Sequence, residues 1–169
     1  MPPPELTTVT DGGQRAEPAI GAAGPDDAGE ILTLQRAAFI AEALPYGTLQ
    51  HPALLQSLED LRAELVTVTA LAAVLDGRLV GSVRTLVEGD AVHVRRLAVV
   101  PDLQGRGIAR ALLAHVEATA PASVHRFVLN TGHLNAPALR LYGHLGYVET
   151  RREVVDDVLT LVHLELRRP

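Results

Sequence analysis

Several residue types are missing or scarce in this chain of 169 residues, and each absence excludes a class of site. There is no cysteine, which excludes disulfides, thiolate metal sites and a covalent acyl-cysteine intermediate. There is no lysine, so all fifteen basic residues are arginine and the lysine that a mononucleotide P-loop requires is absent. Tryptophan is also absent, and with three tyrosines and two phenylalanines the core must consist mainly of leucine, valine and alanine.

Charge and hydropathy limit the possible partners. The net charge is −5 at pH 7, which argues against nucleic acid or a membrane surface as the partner, because clustered basic residues bind both. An acidic surface weakly favours a cationic amine. Neither a membrane-spanning apolar run nor a signal-peptide pattern occurs, so we expect a cytoplasmic protein.

Length and composition favour a single folded domain. Residues 1–17 contain three consecutive prolines, a glycine pair and no hydrophobic period, which predicts a flexible N-terminal leader. Residues 18–169 are expected to form the domain, since 47% of the chain is apolar and can supply a core. The apolar segment 158–166 is a possible homodimer surface.

Hydrophobic periodicity and turn residues predict four helices and seven strands. The helices are expected at residues 25–42, 53–65, 107–119 and 135–146. The strands are expected at residues 19–23, 68–75, 78–87, 91–100, 126–129, 147–154 and 159–166. The second, third and fourth strands are predicted to form an antiparallel meander.

The most informative segment is residues 96–110, where an apolar strand enters a glycine-containing loop that opens into a helix. Gly105 and Gly107 permit left-handed backbone angles, so successive N–H groups can turn toward one point. The first N–H groups of the helix have no intrahelical partner and lie at the positive end of its dipole, which favours a bound anion. A dinucleotide-binding loop would require glycine or alanine where Arg110 stands, which disfavours that alternative.

A second motif occupies residues 130–147. Asn135 is a favourable helix N-cap, Pro137 suits the first turn, and Gly146 ends the helix. Tyr142 follows Asn135 by nearly two turns, so both residues lie on one face of the helix. By itself this tyrosine fits a core aromatic equally well.

Together these motifs resemble the GCN5-related N-acetyltransferase (GNAT) family. The family has a strand ending in an apolar-Ala-Val-x-Pro run, a Gln/Arg-x-x-Gly-x-Gly/Ala loop, and a later Asn…Ala…Leu-Tyr…Gly-Tyr/Phe helix. This chain has Leu97-Ala98-Val99-Val100-Pro101, then Gln104-Gly105-Arg106-Gly107-Ile108-Ala109, then Asn135-Ala136 with Leu141-Tyr142 and Gly146-Tyr147. The match is specific over residues 92–148.

The resemblance implies an acyl-CoA N-acyltransferase fold, which is a mixed α/β (α+β) architecture. Its sheet is mostly antiparallel, with six to seven strands, a central splayed parallel pair and about four flanking helices. It further implies an enzyme that moves acetyl from acetyl-CoA, as cosubstrate and without a metal, to a primary amine of a small molecule, amino acid or peptide. The transfer is expected to be direct, within a ternary complex.

The resemblance also assigns the cofactor-binding residues. The strand with Leu97, Ala98 and Val99 is expected to part from the strand at 126–129, and the pantetheine arm enters the gap and pairs with main-chain groups of Leu97 and Val99. Asn135 is expected to contact the pantetheine, and Tyr142 to lie near the sulfur as the acid. The pyrophosphate is expected on the N–H groups of Gln104, Gly105, Arg106, Gly107, Ile108 and Ala109.

The base and the acceptor site are less well defined by the sequence. Many relatives carry a glutamate on the strand where this chain has Arg95, so His93 on the same strand is the candidate base, directly or through water. Arg95 could instead hold an acceptor carboxylate. Glu42 is a candidate to receive a cationic amine and Tyr46 to form a pocket wall. Two alternatives stay open: a non-catalytic acyl-CoA-binding regulatory module, and a nucleotide-binding or phosphotransfer protein.

Overall fold

A seven-stranded sheet with five α-helices forms the fold in the computed structural model, which describes residues 16–168. The predicted leader lies outside the described residues except for its last two. The strands are β1 (Ala19–Ala23), β2 (Thr69–Leu75), β3 (Arg78–Glu88), β4 (Ala91–Val99), β5 (Arg126–Gly132), β6 (Val148–Val154) and β7 (Thr160–Arg167). The helices are α1 (Ala28–Ala43), α2 (Pro52–Leu55), α3 (Leu58–Thr67), α4 (Ile108–Thr119) and α5 (Ala136–His144).

The sheet has the order β1-β2-β3-β4-β5-β7-β6, and β4 and β5 form its parallel pair. These two strands pair only over Ala91–His93 and Arg126–Val128, although β4 continues to Val99 and β5 to Gly132. Beyond the paired residues the two strands part. The predicted mixed sheet with a central splayed parallel pair is therefore confirmed.

The single helix predicted at residues 53–65 is wrong, because the structure divides it into α2 and α3. Gln56 leaves the helical conformation with ψ 129°, and Ser57 begins α3 as its N-cap, with its side-chain oxygen accepting the Asp60 N–H at 3.0 Å. A serine three residues before an acidic residue favours such a start. Because of this break, the Gln56 side chain points toward Arg84 and Glu64 and joins the buried polar network described below.

A β-bulge in β4 changes which side chains face the site. The register of β3 and β4 shifts between Ser82 and Arg84, and Arg96 takes a left-handed conformation with φ 52°. Such an extra residue interrupts the alternation of faces along a strand. Arg96 is half-buried, whereas Arg95 is exposed.

Close packing fixes α4 over the sheet. A Cβ atom added to Gly81 on β3 would lie 2.9 Å from Ile108 and 3.0 Å from Leu112. Only glycine therefore allows α4 to approach β3 so closely, and this contact sets the position of the helix N-terminus. None of the helices in the described part of the chain is both long and apolar enough to cross a membrane.

Candidate active site

A cavity of about 690 Å³ lies where β4 and β5 part. Residues from β4, β5, β6 and β7 line it, together with side chains from the helices. The lining residues that matter most for chemistry are Glu42, Glu64, His93, Arg95, Arg96 and Tyr142. Within residues 16–168, no group of three or more histidine or acidic side chains is arranged to hold a metal ion.

The strand that lines this cavity leads directly into the glycine loop. Gly105 has φ 74° and Gly107, the N-cap of α4, has φ 84°, as the sequence predicted for a loop needing left-handed residues. An added Cβ would meet no atom within 4 Å at either glycine, so the space beside the loop is open. The side chain of Gln104 folds back and donates a hydrogen bond to the Val99 carbonyl at 3.1 Å. An exposed helix N-terminus preceded by two such glycines fits a diphosphate group.

Tyr142 lies in the wall of the cavity on α5 and is buried. Burial raises its pKa above the ordinary value for a phenol, and the nearby Glu42 carboxylate raises it further. A buried phenol with a raised pKa keeps its proton at neutral pH. Tyr142 thus offers a proton donor to whatever occupies the cavity.

Asn135 caps α5, as predicted from the sequence. Its Oδ1 accepts the Ala138 N–H at 3.2 Å, and its Nδ2 donates to the Thr131 hydroxyl at 3.2 Å. The Asn135 side chain also lies near Glu42 and lowers the pKa of that carboxyl.

Glu42 is half-buried near the end of α1 and lines the cavity. Burial raises its pKa to about 7, although the nearby Asn135 side chain and the positive charge of Arg96 oppose the shift. A carboxyl with this pKa is divided between its two protonation states near neutral pH. The opposite shift occurs at Asp90, Asp102 and Glu149, where hydrogen bonds from arginine side chains lower the pKa of the carboxyl.

Beside the cavity lies a buried polar network that the sequence analysis did not assign. Arg84 on β3 has a side chain only 2% exposed, and its Nη1 lies 3.1 Å from Glu64 Oε2. Its Nη2 donates to Gln35 Oε1, and Gln56 donates to the same Glu64 oxygen at 2.6 Å. Burial lowers the pKa of Arg84 to about 10, opposed by Glu64, so the guanidinium stays charged. The available signal was one arginine within the apolar run of β3.

The other predicted site residues have different surroundings. His93 Nε2 lies 3.1 Å from Glu88 Oε2, and the His93 side chain, one-third exposed, lines the cavity. Arg95 also lines the cavity. Tyr46 is not among the cavity residues: its hydroxyl accepts the Leu134 N–H at 2.9 Å, and its ring lies over Gly132. Its predicted role as a pocket wall stays a prediction.

Comparison with protein families matches residues 31–147 to the family model described as Acetyltransferase (GNAT) family. The matched segment includes the parted strands, the glycine loop and most of the cavity lining. No curated protein matches this chain.

Solved structures share the fold. The ribosomal-protein-S18-alanine N-acetyltransferase from Escherichia coli has a TM-score of 0.72 at 20% identity, over 89% of this chain and 93% of that one. The paia N-acetyltransferase from Thermoplasma acidophilum, in complex with coenzyme A, has a TM-score of 0.68 at 16% identity, over 88% and 98%. The protein yncA from Salmonella typhimurium, solved with its cofactor acetyl-CoA, has a TM-score of 0.68 at 19% identity, over 90% and 94%.

Proposed function

We propose that this chain, which belongs to the GNAT acetyltransferase family, transfers acetyl from acetyl-CoA directly to a primary amine within a ternary complex. The acceptor is a small molecule, an amino acid or a peptide. Residues 18–169 act as the catalytic domain. Two structural neighbours contain coenzyme A or acetyl-CoA, which supports the same cosubstrate here.

One observation carries the proposal. The gap between β4 and β5 runs into a glycine loop at the N-terminus of α4, so a single site can take an extended chain and a diphosphate together. Beyond His93, β5 no longer pairs with β4, and Leu97 lines the cavity where a strand-like ligand would lie. Coenzyme A combines these two features, because its diphosphate is joined to the extended pantetheine arm.

In this proposal, the N–H groups of residues 104–109 hold the pyrophosphate and Asn135 orders the approach of the pantetheine. Gln104 already donates to the Val99 carbonyl, so the pantetheine either shares this carbonyl with the Gln104 side chain or displaces it. Bound acetyl-CoA supplies an acetyl group that is activated toward attack by an amine.

The chain's own groups then assist the transfer. Main-chain N–H groups of residues 97–99 stabilise negative charge on the acyl oxygen, because they are fixed donors in a partly dry site. Tyr142, which is protonated at neutral pH, donates its proton to the departing sulfur. A base must also take a proton from the acceptor, since an alkyl ammonium with a pKa of about 10 is not nucleophilic.

The direct test supplies acetyl-CoA and a panel of amines, amino acids and short peptides to the purified protein. We expect thiol release above background with at least one acceptor, and a product one acetyl group heavier by mass spectrometry. If acetyl-CoA binds well but no acceptor raises thiol release, the chain is an acyl-CoA-binding module instead. If ATP stabilises the fold more than coenzyme A does, the cofactor assignment itself is wrong.

A further inference from the structure

The cavity contains several side chains able to take a proton from an amine, and their existing hydrogen bonds show which of them is free to do so. Within the described residues that line it, the candidates are Glu42, His51, Glu64, His93 and His163. A base must reach the cavity with a free lone pair and return to its starting state after each turnover. Most of these side chains already have a structural partner.

The Glu64 carboxylate already has hydrogen-bond partners within the fold. One of its carboxylate oxygens accepts hydrogen bonds from both Arg84, at 3.1 Å, and Gln56, at 2.6 Å. Protonating this oxygen would leave the buried Arg84 guanidinium without its counter-charge, which is costly. Glu64 is therefore a poor proton acceptor.

The histidines are also engaged. His51 caps α2, with its Nδ1 accepting the Ala53 N–H at 3.1 Å, and it lies beside Phe39. Burial and the charge of Arg96 lower its pKa. His163 Nε2 lies 2.9 Å from Glu153 Oε2. His93 Nε2 lies 3.1 Å from Oε2 of Glu88, the last residue of β3, whose side chain is more than half exposed.

Glu42 differs from all of these. Its carboxylate lines the cavity and makes no hydrogen bond or ion pair with another side chain among residues 16–168. Tyr142 lines the same cavity from α5, so Glu42 and Tyr142 face one space from two helices, α1 and α5. Glu42 is thus an unpaired carboxylate that shares its cavity with a buried phenol.

We propose that Glu42 is the catalytic base, which binds the acceptor ammonium in the cavity and takes a proton from it. This assignment rests on the proposed acetyl transfer. The substrate class that follows is an alkyl ammonium, because a half-buried carboxylate binds a cation more strongly than it binds a neutral amine or an alcohol.

The proton and electron balance of the step is complete. The ammonium gives one proton to Glu42, and the freed nitrogen lone pair forms the bond to the acyl carbon. The carbon–sulfur bond breaks, its electron pair stays on sulfur, and sulfur takes the Tyr142 proton. The second proton leaves the nitrogen through water and restores the phenol, while Glu42 releases its own proton to solvent.

Several titratable or charged groups lie on the elements around α1 and face the same region. They are Arg84 on β3, His93, Arg95 and Arg96 on β4, His51 before α2, Glu64 on α3 and Tyr142 on α5. Arg96 favours the ionised carboxylate, whereas burial opposes it more strongly and raises the pKa of Glu42 to about 7. The protonation state of Glu42 thus changes within the range where an acetyltransferase assay is practical.

The test is the pH dependence of kcat/KM for the best amine of the panel. We expect the native enzyme to lose activity on acidification with an apparent pKa near that of Glu42. Glu42→Gln should lower kcat/KM by about a hundredfold or more and remove this acidic limb, with coenzyme A affinity unchanged. Glu30→Gln, the same change on an exposed turn of α1, should keep both the rate and the limb.

The outcomes are distinguishable from one another. If Glu42→Gln keeps the acidic limb, or if His93→Gln removes it while Glu42→Gln does not, Glu42 is not the base. If the native enzyme acetylates no amine at all, it is the proposed function that fails. If Glu42→Gln no longer unfolds cooperatively, Glu42→Asp decides, because a base held one methylene farther away should keep the limb at a reduced rate.

Discussion

The hydroxyl of Tyr46 accepts a hydrogen bond from the main-chain N–H of Leu134, with 2.9 Å between the two atoms. Tyr46 follows α1 and Leu134 precedes α5, so this contact joins segments 88 residues apart. Its ring also meets His133 edge-on at 5.7 Å between centroids. The contact fixes the end of α1, with Glu42, relative to the start of α5, with Asn135.

Tyr46→Phe removes this hydrogen bond and little else. We expect unfolding free energy to fall by about 1 kcal/mol, because the Leu134 N–H loses its partner but stays accessible to water. Tyr147→Phe is the matched control, since the buried Tyr147 hydroxyl has no hydrogen-bond partner among the described residues. Urea denaturation of both variants should show a loss only for Tyr46→Phe. Equal losses would mean that the contact contributes no stability.

Gly107→Glu tests the diphosphate site. The substitution places a carboxylate at the N-terminus of α4, where the proposed anion binds, and we expect coenzyme A affinity to fall by about a hundredfold or more. The left-handed φ of 84° adds strain of about 1–2 kcal/mol to the fold. Gly89→Glu, with φ 60° and equally open space at the other end of β4, controls for both strain and charge. Calorimetric titration should find normal affinity in the control, and normal affinity in Gly107→Glu would refute the site.

Tyr142→Phe tests the proton donor. We expect kcat to fall by about a hundredfold with acetyl-CoA binding nearly unchanged, which is the pattern of a group that acts in the transition state. Steady-state kinetics and a separate binding titration measure the two effects. An unchanged kcat would reduce Tyr142 to a packing residue.

Arg84→Met tests the buried network. Methionine keeps much of the volume but leaves Glu64 without its cation, and we expect a loss of about 3 kcal/mol in unfolding free energy. The comparison is Arg78→Ala, which breaks an ion pair with Asp102 at 2.8 Å whose side chains are 56% and 57% exposed. That loss should be much smaller, because water screens the pair. Similar losses in the two variants would show that burial does not strengthen the Arg84 contacts.

The titration of Glu42 should also appear in the stability of the fold. Its pKa rises from 4.5 to about 7 on folding, so the folded state binds more protons than the unfolded state over that range and stability falls as pH rises. We expect the native protein to lose about 1–3 kcal/mol between pH 5 and pH 8 relative to Glu42→Gln, reduced by the partial exposure of the side chain. Urea denaturation at both pH values measures the difference, and parallel pH dependence in the two proteins would contradict the raised pKa.

Features set by nearby residues were predictable from the sequence. Gly105 and Gly107 have the left-handed angles expected of them, and Asn135 caps α5 as expected, because turns and caps depend on residues a few positions apart. The break between α2 and α3 had the same kind of signal in Ser57 and Asp60. The helical spacing of apolar residues continues through 53–65 across this break, so the sequence predicted one helix instead of two.

By itself, the sequence determined the family, the order of strands and helices, and the loop suited to a diphosphate, since each is encoded in a continuous stretch of chain. Only the tertiary structure decided which side chains share the cavity. The separation of β4 from β5, the bulge at Arg96, the pairing of Arg84 with Glu64 and the approach of Glu42 to Tyr142 all join distant segments. Burial then set the protonation of Glu42, because desolvation depends on everything packed around a group and not on its neighbours in sequence.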